Sequence, residues 1–174
     1  DVVVENVTPG TLGRLGLERT IRPGQPVALQ VGSRGIANIP LILRSVAEPL
    51  KKIGAKPFIV PAMGSHGGGT AEGQLATLAK LGMTPEDIDC EIRSSMETVV
   101  VAHDVRGRPL HLDVHAAGAD RVLPVNRVKP HTQFRGPIES GCTKMLVVGF
   151  GKQPGAAQFH SSGAVVMRDQ LLEG

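Results

Sequence analysis

Apolar and polar positions along the chain follow two patterns, one typical of buried strands and the other of amphipathic helices. Short apolar runs bounded by glycine, proline or charged residues predict five strands. Arg106-Gly107 lies between the last two of the runs named below, which favours a hairpin for these two strands. The runs are Val27–Val31, Lys56–Val60, Arg121–Val128, Thr98–Ala102 and Leu110–Val114.

The first strand pair is separated by a stretch that predicts a helix over Ile39–Ile53. Asn38 is a candidate N-cap, and Pro40 suits the first turn. Pro49 is expected to kink this helix or to end it early, because proline lacks the backbone N–H. Gly54 is a typical residue to follow the helix end.

Four further helical segments are predicted along the rest of the chain. Thr70 is expected to cap the first, which Gly82 closes, and acidic residues at the start of the second suit the positive end of a helix. The third is an apolar run in a glycine-punctuated stretch, where a buried helix is favoured. The segments are Ala71–Leu81, Thr84–Asp87, Gly136–Lys152 (apolar run Met145–Phe150) and Ala164–Leu172.

Strands and helices in alternation predict an α/β fold, with a mostly parallel sheet and helices on both faces, a Rossmann-like three-layer arrangement. Ligands of such sheets bind beyond the carboxyl ends of the strands. Polar, glycine-flanked loops follow three of the strands and carry Arg34, His66 and His131. We therefore expect these three side chains to converge at one edge.

Composition limits the class of protein. With 174 residues, 41% of them apolar and 20% charged, the chain suits one packed domain rather than a disordered segment. A formal charge of +3 without a long basic run argues against nucleic acid, and no apolar run approaches the ~18 residues of a membrane span. Cys90 and Cys142 are too few for a disulfide scaffold, which favours a reduced, cytoplasmic protein.

The two loop histidines are candidates for proton transfer. His66 lies in Gly64–Gly69, where a histidine has few packing neighbours, so it acts either as a general acid/base or as a cap for backbone groups. His131 follows the rigid Lys129-Pro130 and is either catalytic or a structural turn residue. Two opposed imidazoles would allow proton removal on either face of a substrate carbon.

Three other side chains have chemistry that the sequence alone leaves open. Arg34 offers a planar fork for a carboxylate or phosphate, or is simply solvated. Lys144 precedes an apolar run and is either a desolvated nucleophile or a surface lysine. His160, beside Phe159, is most simply a satisfied core residue. The remaining histidines are interpreted as structural or exposed: His103, His111 and His115.

Five motifs, in this order along almost the whole chain, resemble the N-terminal domain of the nickel-pincer lactate racemase family. Several motifs of this length are a strong signal for a family and a weaker one for a substrate. The motifs are Arg34–Pro40, Pro61–Gly68, Asn126–Thr132, Arg135–Gly141 and Gly149–Ala156.

The resemblance implies a cofactor and a role for five residues. The cofactor would be a nickel-pincer nucleotide, a pyridinium mononucleotide that grips nickel through two sulfur groups and a ring carbon. Lys144 matches the lysine that anchors it as a thioamide, and His160 the histidine that ligates nickel. His66 and His131 match the acid/base pair, and Arg34 matches the arginine that supports the substrate.

The resemblance also implies a reaction and partners. The chain would be an isomerase that racemises or epimerises a lactate-like 2-hydroxy acid by proton-coupled hydride transfer. Ser33, Gly67 and Gly68 are the other residues expected next to the cofactor. The family's C-terminal domain is absent from this chain, so residues 1–174 would form the cofactor-binding and catalytic N-terminal domain. Cofactor-building enzymes would be further partners.

Two other functions remain open. The first is a hydrolase in which His66, His131 and His160 form a zinc trio, which metal analysis would distinguish from nickel. The second is a non-catalytic domain that binds an anion or nucleotide through its glycine loops.

Overall fold

Three parallel strands form the main sheet. A computed structural model describes residues 19–33, 35–127, 129–130, 135–136 and 139–160. In it, β1 (Pro26–Val31) lies between β2 (Lys56–Pro61) and β5 (Arg121–Val125), and both neighbours run parallel to it. The strands predicted at 27–31 and 56–60 are confirmed. The strand predicted over 121–128 ends at Val125, and Val128 lies outside the described residues.

Helix α1 (Ile39–Lys52) connects β1 to β2 and confirms the first predicted helix, with Pro40 in its first turn. Asn38 occupies the N-cap position in a left-handed conformation, φ 57°, but its side chain makes no capping hydrogen bond. Pro49 does not end the helix early, because the helix continues to Lys52. Its last turn buries Leu50 completely, so packing holds that turn although Pro49 removes one helical hydrogen bond.

Two predicted helices follow β2. Helix α2 (Ala71–Lys80) begins at Thr70, whose hydroxyl accepts a hydrogen bond from the Gly73 amide at 3.0 Å. Helix α3 (Pro85–Ile88) begins at Thr84 in the same way. The first start confirms the predicted capping by Thr70, and the second has the predicted acidic residues, Glu86 and Asp87, in its first turn.

The predicted hairpin is confirmed as a two-stranded antiparallel sheet, β3 (Thr98–His103) and β4 (Pro109–Asp113). Val114, predicted as the end of β4, instead begins the short helix α4 (Val114–Ala117). The reason is local, because the Asp113 carboxylate accepts hydrogen bonds from the amides of His115 and Ala116 and so caps a helix there.

The last described part of the chain is helical. Helix α5 (Cys142–Lys144) runs into a π-helical turn over Met145–Gly149, and helix α6 (Lys152–His160) follows. The apolar run Met145–Phe150 is helical as favoured, but the turn is π-helical and only partly buried, since Leu146 is exposed. The predicted helix over Ala164–Leu172 lies outside the described residues.

The two faces of the sheet pack against different groups of apolar side chains. On one face Leu29 and Ile59 are buried together with side chains of α1, such as Leu43. On the other, Ala28 and Phe58 pack against residues that follow in sequence, including Phe150. The fold is therefore mixed α/β, with a parallel sheet and helices. Across the described ranges, no helix has the length and apolar character needed to cross a membrane.

We predict that Gly73→Ala destabilises the fold although alanine is the better helix former. A Cβ at Gly73 would lie 1.7 Å from the carbonyl oxygen of Gly67, so backbone must move. Overpacking of this kind costs about 1–3 kcal/mol, against a helix-propensity gain of about 1 kcal/mol. Urea unfolding should show a net loss of up to about 2 kcal/mol in the free energy of unfolding.

Gly35→Ala is the matched control, because nothing lies within 4 Å of a Cβ built there. It should change the free energy of unfolding by no more than about 0.5 kcal/mol. A stabilised Gly73→Ala protein would show that the loop and α2 are not packed as closely as described.

Candidate functional site

A cavity of about 290 Å³ lies at the carboxyl edge of the parallel sheet. Residues that directly follow all three strands line it, including Ser33 after β1, Ala62 after β2 and Asn126 after β5. The cavity therefore occupies the place where α/β sheets bind ligands. Its volume is close to the lower end of the range of about 300–1,000 Å³ that is usual for small-molecule sites.

Four of the eight residues singled out in the sequence line this cavity: Ser33, His66, Lys144 and His160. They come from the loop after β1, the loop after β2, the end of α5 and the end of α6. Gly67 and Gly68 are not part of the lining. Arg34 and His131 lie outside the described residues, so their expected roles stay predictions.

His66 is held against the end of β1 by a side-chain contact. Its Nδ1 lies 2.5 Å from the hydroxyl oxygen of Ser33, and its backbone amide donates to the carbonyl of Met63. The imidazole is exposed. A ring that is oriented through one nitrogen and accessible to solvent is suited to exchange a proton with a bound molecule. The sequence placed Ser33 near the cofactor and gave no sign of this pairing.

The glycines of the His66 loop allow its tight course. Gly67 has φ +71°, and a Cβ there would lie 2.5 Å from backbone of Gly73. Only glycine allows the loop to approach α2 so closely. The structure thus gives Gly67 a packing role, while its expected contact with a cofactor stays a prediction.

Lys144 and His160 reach the cavity from opposite ends of the final helical stretch. Lys144 is half-buried and directly precedes the π-helical turn, a type of turn that is frequent at functional sites. His160 ends α6 and is exposed, so its interpretation as a satisfied core residue is wrong. Its neighbour Phe159 is buried instead, with the two rings edge to face at 5.4 Å between centroids.

The charge of the described lining is positive. Arg127, Lys129 and Lys144 contribute cationic side chains, and none of the described lining residues is aspartate or glutamate. A concave surface with one sign of charge attracts ligands of the opposite sign. The cavity is therefore suited to an anion such as a carboxylate or phosphate.

Among the described residues, metal-ligating side chains do not form a complete cluster. Within the part of the chain that the structure describes, no group of three or more His, Cys, Asp or Glu residues is arranged to hold a metal ion. The zinc trio would need His131, which lies outside that part. In the hairpin, His111 Nδ1 lies 3.1 Å from the Thr98 hydroxyl, which fits the structural role expected for it.

Sequence reasoning missed several residues of the site. Asn126 is 94% buried, lines the cavity and contacts Cys142 only weakly, with Nδ2 3.9 Å from the sulfur. Gly149 allows the π-helical turn to approach β2, since a Cβ there would lie 2.7 Å from the Ala62 carbonyl oxygen. Asn126 and Gly149 each begin one of the five motifs, but a motif alone does not predict which atoms its residues contact.

Comparison with protein-family models, curated proteins and solved structures finds no match for this chain.

We predict that Asn126→Leu stabilises the protein. The Oδ1 atom of Asn126 is buried and has no hydrogen-bond partner among the described residues, which costs free energy in the folded state. Leucine has a similar shape and no polar atom, so thermal or urea unfolding should show a gain of about 1 kcal/mol. A loss of stability would contradict the prediction and would mean that this oxygen has a hydrogen-bond partner in the folded protein.

Proposed function

We propose that this chain carries the catalytic residues of an isomerase that racemises or epimerises a lactate-like 2-hydroxy acid with a nickel-pincer nucleotide. The observation that carries the proposal is that one cavity gathers Ser33, His66, Lys144 and His160. Lys144 and His160 are the residues that resemble the family's anchor and nickel ligand, and His66 resembles half of its acid/base pair. Each of the five motifs also contributes to the lining, through Ile36, His66, Asn126, Gly141 and Gly149.

The residues present are compatible with such a cofactor. The amine of Lys144 and the imidazole of His160 share the cavity, and its positive lining suits the phosphate of a nucleotide. Lys144 would hold the nucleotide, and His160 would ligate nickel, a metal that accepts imidazole together with sulfur. When bound, the cofactor would supply a reversible acceptor for the C2 hydride of the substrate.

The chain's own residues would bind the acid and transfer its hydroxyl proton. Arg127 and Lys129 lie in the lining and would attract the substrate carboxylate. His66 would take the proton from the hydroxyl and return it, with Ser33 holding the ring in place. His131 would do the same from the opposite face, and Arg34 would support the substrate.

The proposal extends to the fold and to the partners. The apolar packing on both sides of β1 supports a Rossmann-like three-layer arrangement. By resemblance, the chain would be the N-terminal domain of a cytoplasmic enzyme, whose C-terminal domain closes the site. Enzymes that build the cofactor would be required partners. We propose no role in binding nucleic acid or membranes.

The direct test is the mass and metal content of full-length protein made together with the cofactor-building enzymes. We expect stoichiometric nickel and a mass increment on the peptide that contains Lys144. Lys144→Arg should lose the increment, whereas Lys80→Arg, on the exposed side of α2, should keep it. An unmodified Lys144 with zinc in place of nickel would contradict the proposal and favour the hydrolase.

A non-catalytic anion-binding domain is the second candidate, because the positive lining without carboxylates would serve it equally well. The two candidates differ in one respect, because anion binding alone does not need an exposed imidazole held by a serine hydroxyl, whereas the isomerase does. Proton transfer by a positioned side chain accounts for about 10²–10⁴-fold in rate.

We therefore predict that His66→Ala lowers kcat/KM for isomerisation of the best chiral 2-hydroxy acid by about 10²–10⁴-fold. His103→Ala is the control, because His103 is exposed on the hairpin and outside the cavity lining. Its kcat/KM should stay within about twofold of the parent, as for surface changes generally. Equal activity of the two variants would remove His66 from the mechanism and leave the binding domain as the better account.

A further inference from the structure

A lysine that does not line the cavity is completely buried beside the His66 loop. Lys152, the first residue of α6, has no exposed surface, and its Nζ lies 3.1 Å from the equally buried carboxylate of Asp113. This ion pair joins the start of α6 to the junction of β4 and α4. Desolvation lowers the pKa of the Lys152 ammonium, and the Asp113 carboxylate opposes that shift.

The same ammonium is connected to the loop that carries His66. Its Nζ donates to the carbonyl of Pro61, the last residue of β2, and to Gln74 Oε1 at 3.0 Å. The amide of Gln74 in turn donates to the carbonyls of Gly64 at 2.9 Å and His66 at 3.4 Å. Lys152, Asp113 and Gln74 form what we call the buried polar cluster.

Stability alone does not explain the buried polar cluster. Replacing a buried ion pair with apolar side chains of similar size is often neutral or stabilising, so such a pair is weak evidence for stability. Lys152 also has φ +51°, a backbone conformation that is unfavourable for residues other than glycine. Two unfavourable features at one residue, next to a candidate site, indicate a function in which geometry matters more than stability.

We infer that Lys152 is a positioning residue that fixes the His66 loop relative to helix α6. One end of α6 carries the ammonium that donates to Gln74, whose amide holds the loop carbonyls. The other end carries His160, in the lining of the same cavity. The cluster therefore sets the separation of the two imidazoles. The significance of that separation rests on the proposed function, but the positioning itself is measurable without it.

Hydrogen–deuterium exchange of the full-length protein tests the inference without relying on activity. The first variant is Lys152→Met combined with Asp113→Asn, which leaves no uncompensated buried charge and keeps an oxygen to cap α4. The second is Gln74→Met, which removes the link to the loop but leaves the ion pair. Lys80→Met, at an exposed position of α2, is the control.

We expect amide exchange in residues 62–70 to be about tenfold faster in both variants, the effect of losing one buried hydrogen bond. Exchange in residues 26–31 should match the parent and the control. In the nickel-loaded enzyme, kcat should fall about tenfold while KM stays within about twofold, because the reacting geometry changes and substrate binding does not.

Unchanged exchange in residues 62–70 would overturn the inference, and so would a uniform increase that includes residues 26–31, since that would make the cluster a purely structural element. If the parent protein itself showed neither nickel nor isomerisation, the proposed function would fail. The exchange data would still decide whether Lys152 positions the loop.

Discussion

Backbone hydrogen bonds hold β1 between two strands that run in the same direction, and the position of the site depends on this pairing. The register places Leu29 opposite Ile59 on one side and Leu123 on the other. Parallel strands end at a common edge, so the loops that follow them must meet there. That is why Ser33 and His66, far apart in sequence, lie within hydrogen-bonding distance. An antiparallel β2 would have placed them at opposite ends of the sheet.

The second half of the site reaches this edge through close packing. The absence of a side chain at Gly149 lets the π-helical turn lie on the Ala62 carbonyl, and Gly64 donates its amide to the Gly149 carbonyl at 3.1 Å. Lys144 precedes this turn and α6 follows it, so one region of close packing brings both parts of the chain to the cavity. Small residues thus allow the two parts of the chain to approach closely, and the buried polar cluster orients the His66 loop relative to α6. Each lowers the tolerance of the site to substitution.

Much of the fold could be predicted because its signals are local. Apolar periodicity identified β1 and β2, and the hydroxyl of Thr70 marked the start of α2. The meeting of the loops after β1 and β2 then followed from the parallel direction of these strands. Helix α6 was missed because Pro154 and Gly155 lie within it, and both residues disfavour helices. The burial of Lys152 was also unpredictable, since a lysine is normally exposed and its partner is distant in sequence. Non-local pairing of this kind leaves no pattern in a single sequence.

The central proposal is that the cavity at the carboxyl edge of the sheet binds a nickel nucleotide, with Lys144 as its anchor and His160 as the nickel ligand. The most direct measurement is anomalous diffraction at the nickel absorption edge, from crystals of full-length protein made with the cofactor-building enzymes. The account predicts one anomalous peak inside the cavity, at bonding distance from an imidazole nitrogen of His160, with continuous density from Lys144 to the ligand. A peak elsewhere, or an occupied cavity without nickel, would contradict it.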